Sequence, residues 1–485
     1  MKTRTVFSFG GVIVLAAHSA FAIGGTDKPP APSVPHATTF AHPREAKLDN
    51  GLQVLVAERR DLPLITIQLV VRSGSEADPE NLAGTASMTA SLLTKGTEKR
   101  SAPEIANAIE SLGGTIFSGG GWDSASAGVV VMSDKAEPAL DVLSDVVLHP
   151  KFDQQEIDRL KSQRLDGLRV SLQQPGSLSG YVMARVVFGT APYGHASTGT
   201  LETVQAMKRD DIVKLYQTCY TPDNATLILA GDVTLEQGTA FAQRFFGEWK
   251  ADHPAPQRPT NDQGNADWKS TNIVIDMPQA GQAAVNLAKP AIKRASPDYY
   301  TGLVANAALG TGFNSRLNQE IRIKRGLSYG ARSGLEPRRD VGPFVASTQT
   351  KNESAAEVAG LMQSELKRLG TSPIQGDELK SRQAVLTGSY ARNLETNQGF
   401  AGQLSTLAVH GLPLDTLDKF IPAINAVTAD DVSAFAAKYF STPPSLIVVG
   451  KAPAFIDALK KDFPDVKVIA QGDLDLNRGD LTKAK

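Results

Sequence analysis

Seven histidines could bind a metal or move a proton: His18, His36, His42, His149, His195, His253 and His410. No two of them stand three to five residues apart. A pair of imidazoles on one helical face, the usual local platform for zinc, is therefore absent. The single cysteine, Cys219, lies in KLYQTCY and reads as a small buried side chain rather than a reactive thiol. It has no second cysteine with which to form an intramolecular disulfide. Donors at short spacing recur in one run, ALGTGFNSRLNQEIRIKRGLSYGARSG, from Ala308 to Gly334. Within it Arg322 and Tyr329 stand seven residues apart, a spacing that a solvated arginine and a half-buried strand tyrosine would also give.

The run has a readable scaffold. Gly310 and Gly312 make a turn, Asn314 or Ser315 can cap a helix, and Leu317 and Ile321 give that helix an i, i+4 apolar stripe. Gly326 stops it, and Leu327 to Arg332 runs on as a strand. Earlier in the chain, LDNGLQVLVAERR predicts two strands about the Asn50-Gly51 turn, with folding starting at Leu48, and Leu64 to Arg72 predicts a third. Ser101-Ala-Pro-Glu104 has the form of a capping box, opening a helix over 103–112 that ends at Gly113-Gly114. A strand over 127–132 and helices over 138–147 and 155–172 follow.

The ends of two segments share one grammar: VQAMKRDDIVKLYQTCYTPDNATLILAGD from Val204 and INAVTADDVSAFAAKYFSTPPSLIVVGK from Ile424. Asp210-Asp211 aligns with Asp430-Asp431, Tyr220 with Phe440, and Gly231 with Gly450, a repeat of about 220 residues. The predicted class is α+β, with two homologous domains in tandem, each a mostly antiparallel sheet covered by helices. The predicted boundaries are a signal peptide over 1–22, a Pro-rich tether over 23–45 and a first domain over 46–250. A linker over 251–268, a second domain over 269–472 and a polar tail over 473–485 complete the chain.

With 485 residues and 41% hydrophobic content, the chain can bury two large cores. A formal charge of -1, from 50 basic and 51 acidic side chains, leaves nothing to steer it to nucleic acid or an anionic membrane. Lys2 and Arg4, an apolar run from Val6 to Ala17 and Ala20-Phe21-Ala22 match a secretory signal cut after Ala22. The mature chain is expected to carry no membrane span and to be exported, to the periplasm.

Between Gly84 and Thr97 stands GTASMTASLLTKGT, and the first half closes on YTPDNATLILAGD. With the Ala308 to Gly334 run, these segments resemble the pitrilysin/insulinase family of zinc peptidases over nearly the whole mature chain. The resemblance implies a mitochondrial processing peptidase-like fold. In that family the first segment carries H-x-x-E-H, whose imidazoles bind zinc and whose carboxylate deprotonates the metal-bound water. Here those positions are Ser87, Ala90 and Ser91, none of which can act as a base. The family's third ligand, a glutamate on a later helix, counts onto Gly167, which has no side chain. Two explanations stand for it: a discarded ligand position, or a close helix contact that needs glycine. Neighbouring Asp166 would point about 100° away around the helix. His195, in PYGHASTGT, falls in a loop that resembles one following the family's ligand helix.

The family's Arg/Tyr pair maps onto Arg322 and Tyr329. The resemblance implies that both donate to the substrate backbone near the scissile bond; the nearby cations Arg316, Lys324 and Arg325 read as surface or packing residues. The resemblance implies no cofactor in this chain, with zinc held by a partner. The expected function is that of an exported non-catalytic subunit, pairing with a zinc-bearing paralogue to enclose peptides. The alternatives are a free-standing periplasmic peptide-binding or structural protein, and an active peptidase using an unrecognised site.

Overall fold

The computed structural model describes residues 40–257 and 268–484. The signal peptide, the tether up to residue 39 and the linker's 258–267 lie outside the described residues. The first half builds a sheet from β1 (Arg44–Lys47), β2 (Gln53–Glu58), β3 (Leu64–Val71), β4 (Thr115–Gly120), β5 (Ala125–Met132) and β6 (Ala225–Gly231). The second builds another from β7 (Ile273–Asp276), β8 (Ala283–Pro290), β9 (Ser328–Leu335), β10 (Pro343–Thr350), β11 (Ser445–Gly450) and β12 (Lys467–Ala470). The spatial orders are β1-β2-β6-β3-β5-β4 and β12-β7-β11-β8-β10-β9. Five strands therefore correspond one to one, with the same single parallel pairing inside each set, β2 to β6 and β7 to β11. The outermost strand breaks the repeat. It comes from the start of the chain in one sheet, antiparallel to its neighbour, and from near the end in the other, parallel to its neighbour.

The fold class is the α+β tandem expected, and several local signals act as read. Gly51, with φ 95°, turns the chain between β1 and β2. Glu104 accepts from the Ser101 backbone N–H at 2.7 Å, capping the helix Ala102–Glu110. Asp211 and Asp431 each accept from the backbone three residues earlier, at 2.8 and 2.9 Å, so the repeated acidic pair caps equivalent helices. Strand β1 begins before Leu48. Its sequence, REAK, is largely exposed and carries no apolar alternation, because β1 lies at a sheet edge.

The halves are bound together by exchanged helices. Each sheet has one face against its own half's helices and the other against a helix from the opposite half. Helix Pro175–Phe188 lays Leu178 and Val182 against Ala288, Ile447 and Val449 of the second sheet, and Ser179 Oγ accepts from Asn286 Nδ2 at 2.9 Å. Helix Asn397–His410 lays Phe400, Ala401 and Leu404 against Leu55, Val70, Ile228 and Ala230 of the first. At about 1.5–3 kcal/mol for each large buried side chain, separating the halves would cost far more than a domain's usual net stability. Residues 40–485 accordingly form one compact unit. The closing segment docks as well: Leu481 is buried, and Arg185 donates to the Leu476 carbonyl at 3.1 Å.

Candidate functional site

The segment in the H-x-x-E-H frame is a helix, Thr85–Leu92, entered through Gly84 at φ 92°. Its exposed backbone N–H groups are met by Asp78, whose carboxylate accepts from Gly84 at 2.7 Å and from Ala86 at 2.6 Å. His195 Nε2 lies 3.0 Å from the same carboxylate, with its ring edge-on to Trp122. Burial pushes the Asp78 carboxyl above its ordinary range, against the pull of His195 and the two backbone bonds. His195 thus serves to hold the acid that holds the helix.

Ser87 and Ser91 sit one turn apart on this helix with Ala90 buried beside them, and Ser91 Oγ donates to the Ser87 carbonyl at 2.8 Å. Facing both hydroxyls is Arg164, from the helix Gln154–Leu172. Its Nη1 donates to Ser87 Oγ at 2.9 Å and its Nη2 to Ser91 Oγ at 3.4 Å. Gly167 lies one turn further along, and a Cβ built there would meet nothing within 4 Å. A close helix contact therefore does not explain the glycine. Asp166 is paired with Arg169 at 2.6 Å.

These residues do not fit zinc. The donors are two neutral hydroxyls already accepting from a guanidinium, whose charge would repel a dication at the same place. Among the described residues no three of His, Cys, Asp and Glu cluster to hold a metal. Sequence reasoning missed Arg164. The available signal was its position three residues before Gly167, hence near the same helix face.

Tyr329 stands on β9, the second sheet's edge strand, and Arg322 on the helical turn that leads into it. The helix Tyr299–Gly310 approaches β9 so closely that a Cβ on Gly310 would lie 2.1 Å from the Ser333 nitrogen. Gly312 then turns the chain at φ 82°, and a π-helical stretch, Asn318–Ile323, carries Arg322. Leu317 and Ile321 are buried as the stripe implied. Neither Asn314 nor Ser315 caps through its side chain, and the structural bonds come from Asn318 instead. Its amide donates to the Gly312 carbonyl at 2.9 Å and accepts from Ala331 of β9 at 2.8 Å, fixing the π-turn against the strand. Gly326, at φ 64°, ends the turn.

The Arg322 guanidinium lies over the rings of Phe313, at 4.8 Å, and Tyr329, at 5.9 Å. Neither side chain of the pair hydrogen-bonds or ion-pairs with any described residue. Tyr329 is 94% exposed and Phe313 55%. The neighbouring cations differ: Arg316 pairs with Glu378 at 3.0 Å, Lys324 with Glu320 at 2.8 Å, and Arg325 also with Glu320. An open groove of about 1270 Å3 runs between β9 and helix Pro175–Phe188, lined by Arg322, Tyr329, Gly176 and Met183. Ser87, Ala90, Ser91 and Arg164 are not part of it. Within one chain the two sets of expected site residues are not brought into one groove.

A buried network joins the halves beside the degenerate centre. From the loop between β9 and β10, Arg339 donates to Glu76 at 2.9 Å, and its backbone N–H to Asp123 at 2.9 Å. Arg338 is enclosed by Trp122, at 4.1 Å, and Tyr193, at 4.7 Å, while Tyr193 donates its hydroxyl to Asp123. Burial pushes the Glu76 carboxyl up to about 7, with Arg339 pulling against it. Burial also raises the Cys219 thiol, to about 11, as befits an inert side chain.

Comparisons with known proteins fit this geometry. Residues 54–179 match the profile described as insulinase (peptidase family M16), and residues 206–386 match that of the peptidase M16 inactive domain. An uncharacterized zinc protease of Streptomyces coelicolor is 26% identical over 409 residues, covering 84% of this chain and 89% of its own. Another, of Rickettsia bellii, is 26% identical over 415 residues, covering 84% and 97%. A crystal structure of a peptidase M16 inactive domain from Pseudomonas fluorescens superposes with a TM-score of 0.78 at 29% identity, covering 84% of this chain and 98% of that one. A Helicobacter pylori protease shares the fold, with a TM-score of 0.78 at 19% identity. The chain belongs to the insulinase family of peptidases, peptidase family M16, as a member without that family's catalytic side chains.

Proposed function

We propose that this chain is the non-catalytic subunit of a two-chain zinc peptidase, exported to the periplasm and paired with a zinc-bearing paralogue. Arg322 and Tyr329 reach the backbone of a peptide held in the partner's centre and donate to its carbonyl as negative charge develops there. One observation carries the reading: this donor pair has no hydrogen-bond or ion-pair partner among the described residues and faces an open groove, while the chain's own catalytic frame is filled by a guanidinium. A 94%-exposed tyrosine beside a half-exposed phenylalanine is also an apolar surface of the kind that a partner covers. No described helix is long and apolar enough to cross a membrane.

The test is reconstitution with the zinc-bearing paralogue. Arg322→Ala and Tyr329→Phe should each slow hydrolysis by the assembled enzyme about a hundredfold, equivalent to about 2.7 kcal/mol in the transition state. Unchanged turnover in the double variant would remove the role. Peptide binding without any effect on a paralogue's activity would favour a free-standing binder.

A further inference from the structure

Arg164 makes no direct contact with an anion among the described residues, although the Asp78 carboxylate acts on it through space. Its partners are three neutral oxygens: Ser87 Oγ at 2.9 Å, Ser91 Oγ at 3.4 Å and the Thr198 carbonyl at 3.4 Å. It makes no ion pair with any described residue, although burial already disfavours its charge. Those bonds use Nη1 and one hydrogen of Nη2. The Nε–H and the second Nη2–H point together along the free side of the guanidinium and have no partner among the described residues. The Nε–H, which has no such partner, is not sealed from solvent. The place is a built one. Ser87 and Ser91 orient the fork from one side, and β4, the open edge of its sheet, passes so close that a Cβ on Gly120 would lie 3.4 Å from the Ser87 Cα.

We propose that Arg164, oriented by Ser87 and Ser91, is a carboxylate-binding site for peptide: its open fork takes the two oxygens of a C-terminal carboxylate or of an acidic side chain. Two parallel N–H groups on a planar cation match a carboxylate in geometry as well as charge. Where the family's frame places a dication, this chain places a monocation, so the centre still attracts negative charge. The proposal rests on the reading that this chain encloses peptides.

The test is calorimetric titration of the full chain with an N-acetylated decapeptide free of acidic side chains, as the free acid and as the C-terminal amide. A third peptide is the amide with one central glutamate. The free acid or the glutamate-bearing amide should bind about tenfold or more tightly than the plain amide, and whichever does so identifies the source of the carboxylate. In Arg164→Gln that preference should vanish with the plain amide's affinity unchanged. Arg164→Lys, which keeps the charge and loses the fork, should retain only part of it and serves if the first variant does not fold. Equal affinity for all three peptides, or a preference that survives Arg164→Gln, overturns the site and leaves the peptide-enclosing role standing. Failure of every peptide to bind overturns both.

Discussion

Replacing Glu76 by glutamine should change how stability depends on pH. The Glu76 carboxyl is 3% exposed and accepts from the Gly74 backbone at 2.8 Å and from Arg339, across the junction of the halves, at 2.9 Å. Burial dominates over these partners and holds its pKa at about 7, against 4.5 in an open chain. Between these values the folded protein keeps a proton that the unfolded chain releases, so stability falls as pH rises. The contribution is complete below about pH 4.5 and lost by about pH 7, and the displacement corresponds to about 3 kcal/mol. Glutamine copies the shape of the neutral acid and cannot ionise. Its amide beside Arg339 adds an offset that does not vary with pH. Urea denaturation of both proteins from pH 4 to pH 8 should therefore show wild type losing stability relative to Glu76→Gln by about 3 kcal/mol across that window. A constant difference, or one that moves the other way, would refute the assignment of burial as the dominant cause.

Other outcomes follow from the same geometry. Gly167→Ala should stabilise the fold by about 0.5–1 kcal/mol in denaturant titrations, because the helix gains propensity and the new methyl meets only open space. Tyr329→Phe should leave the melting temperature unchanged, since the hydroxyl has no partner among the described residues, while slowing hydrolysis if the proposed pairing with a zinc-bearing paralogue holds. Installing the family's H-x-x-E-H frame with Ser87→His, Ala90→Glu and Ser91→His should not give stoichiometric zinc while Arg164 remains. Adding Arg164→Glu should raise zinc occupancy measured by elemental analysis, and full occupancy in the triple variant would contradict the repulsion argument.

What could be read from the residues was whatever has a local cause. The capping box at Ser101, the stop at Gly326 and the acidic pairs at 210–211 and 430–431 each act within one turn of chain, so composition and spacing disclosed them. The repeat was legible because two sheets of equal order need equal helix, turn and strand signals to close. Strand β4 was not legible: it is a sheet edge ending in Gly119-Gly120, with no alternation to detect. Helices Pro175–Phe188 and Asn397–His410 show no clear amphipathic face, since each packs between a sheet and other elements. The absence of zinc ligands at Ser87 and Ser91 was visible in one line of sequence. The arginine that fills their place was not, because it stands 77 residues from Ser87 and only the packing of two helices brings it there. The network of Glu76, Asp123 and Arg339 is likewise a product of how the halves close.

The proposal that this chain does not activate water unaided is tested most directly by purifying it alone, loading it with zinc, removing excess, and measuring bound metal alongside cleavage of a test peptide with and without chelator. The expected result is zinc well below one ion per chain and no chelator-sensitive cleavage. One tightly held zinc per chain, with hydrolysis that a chelator abolishes, would contradict it.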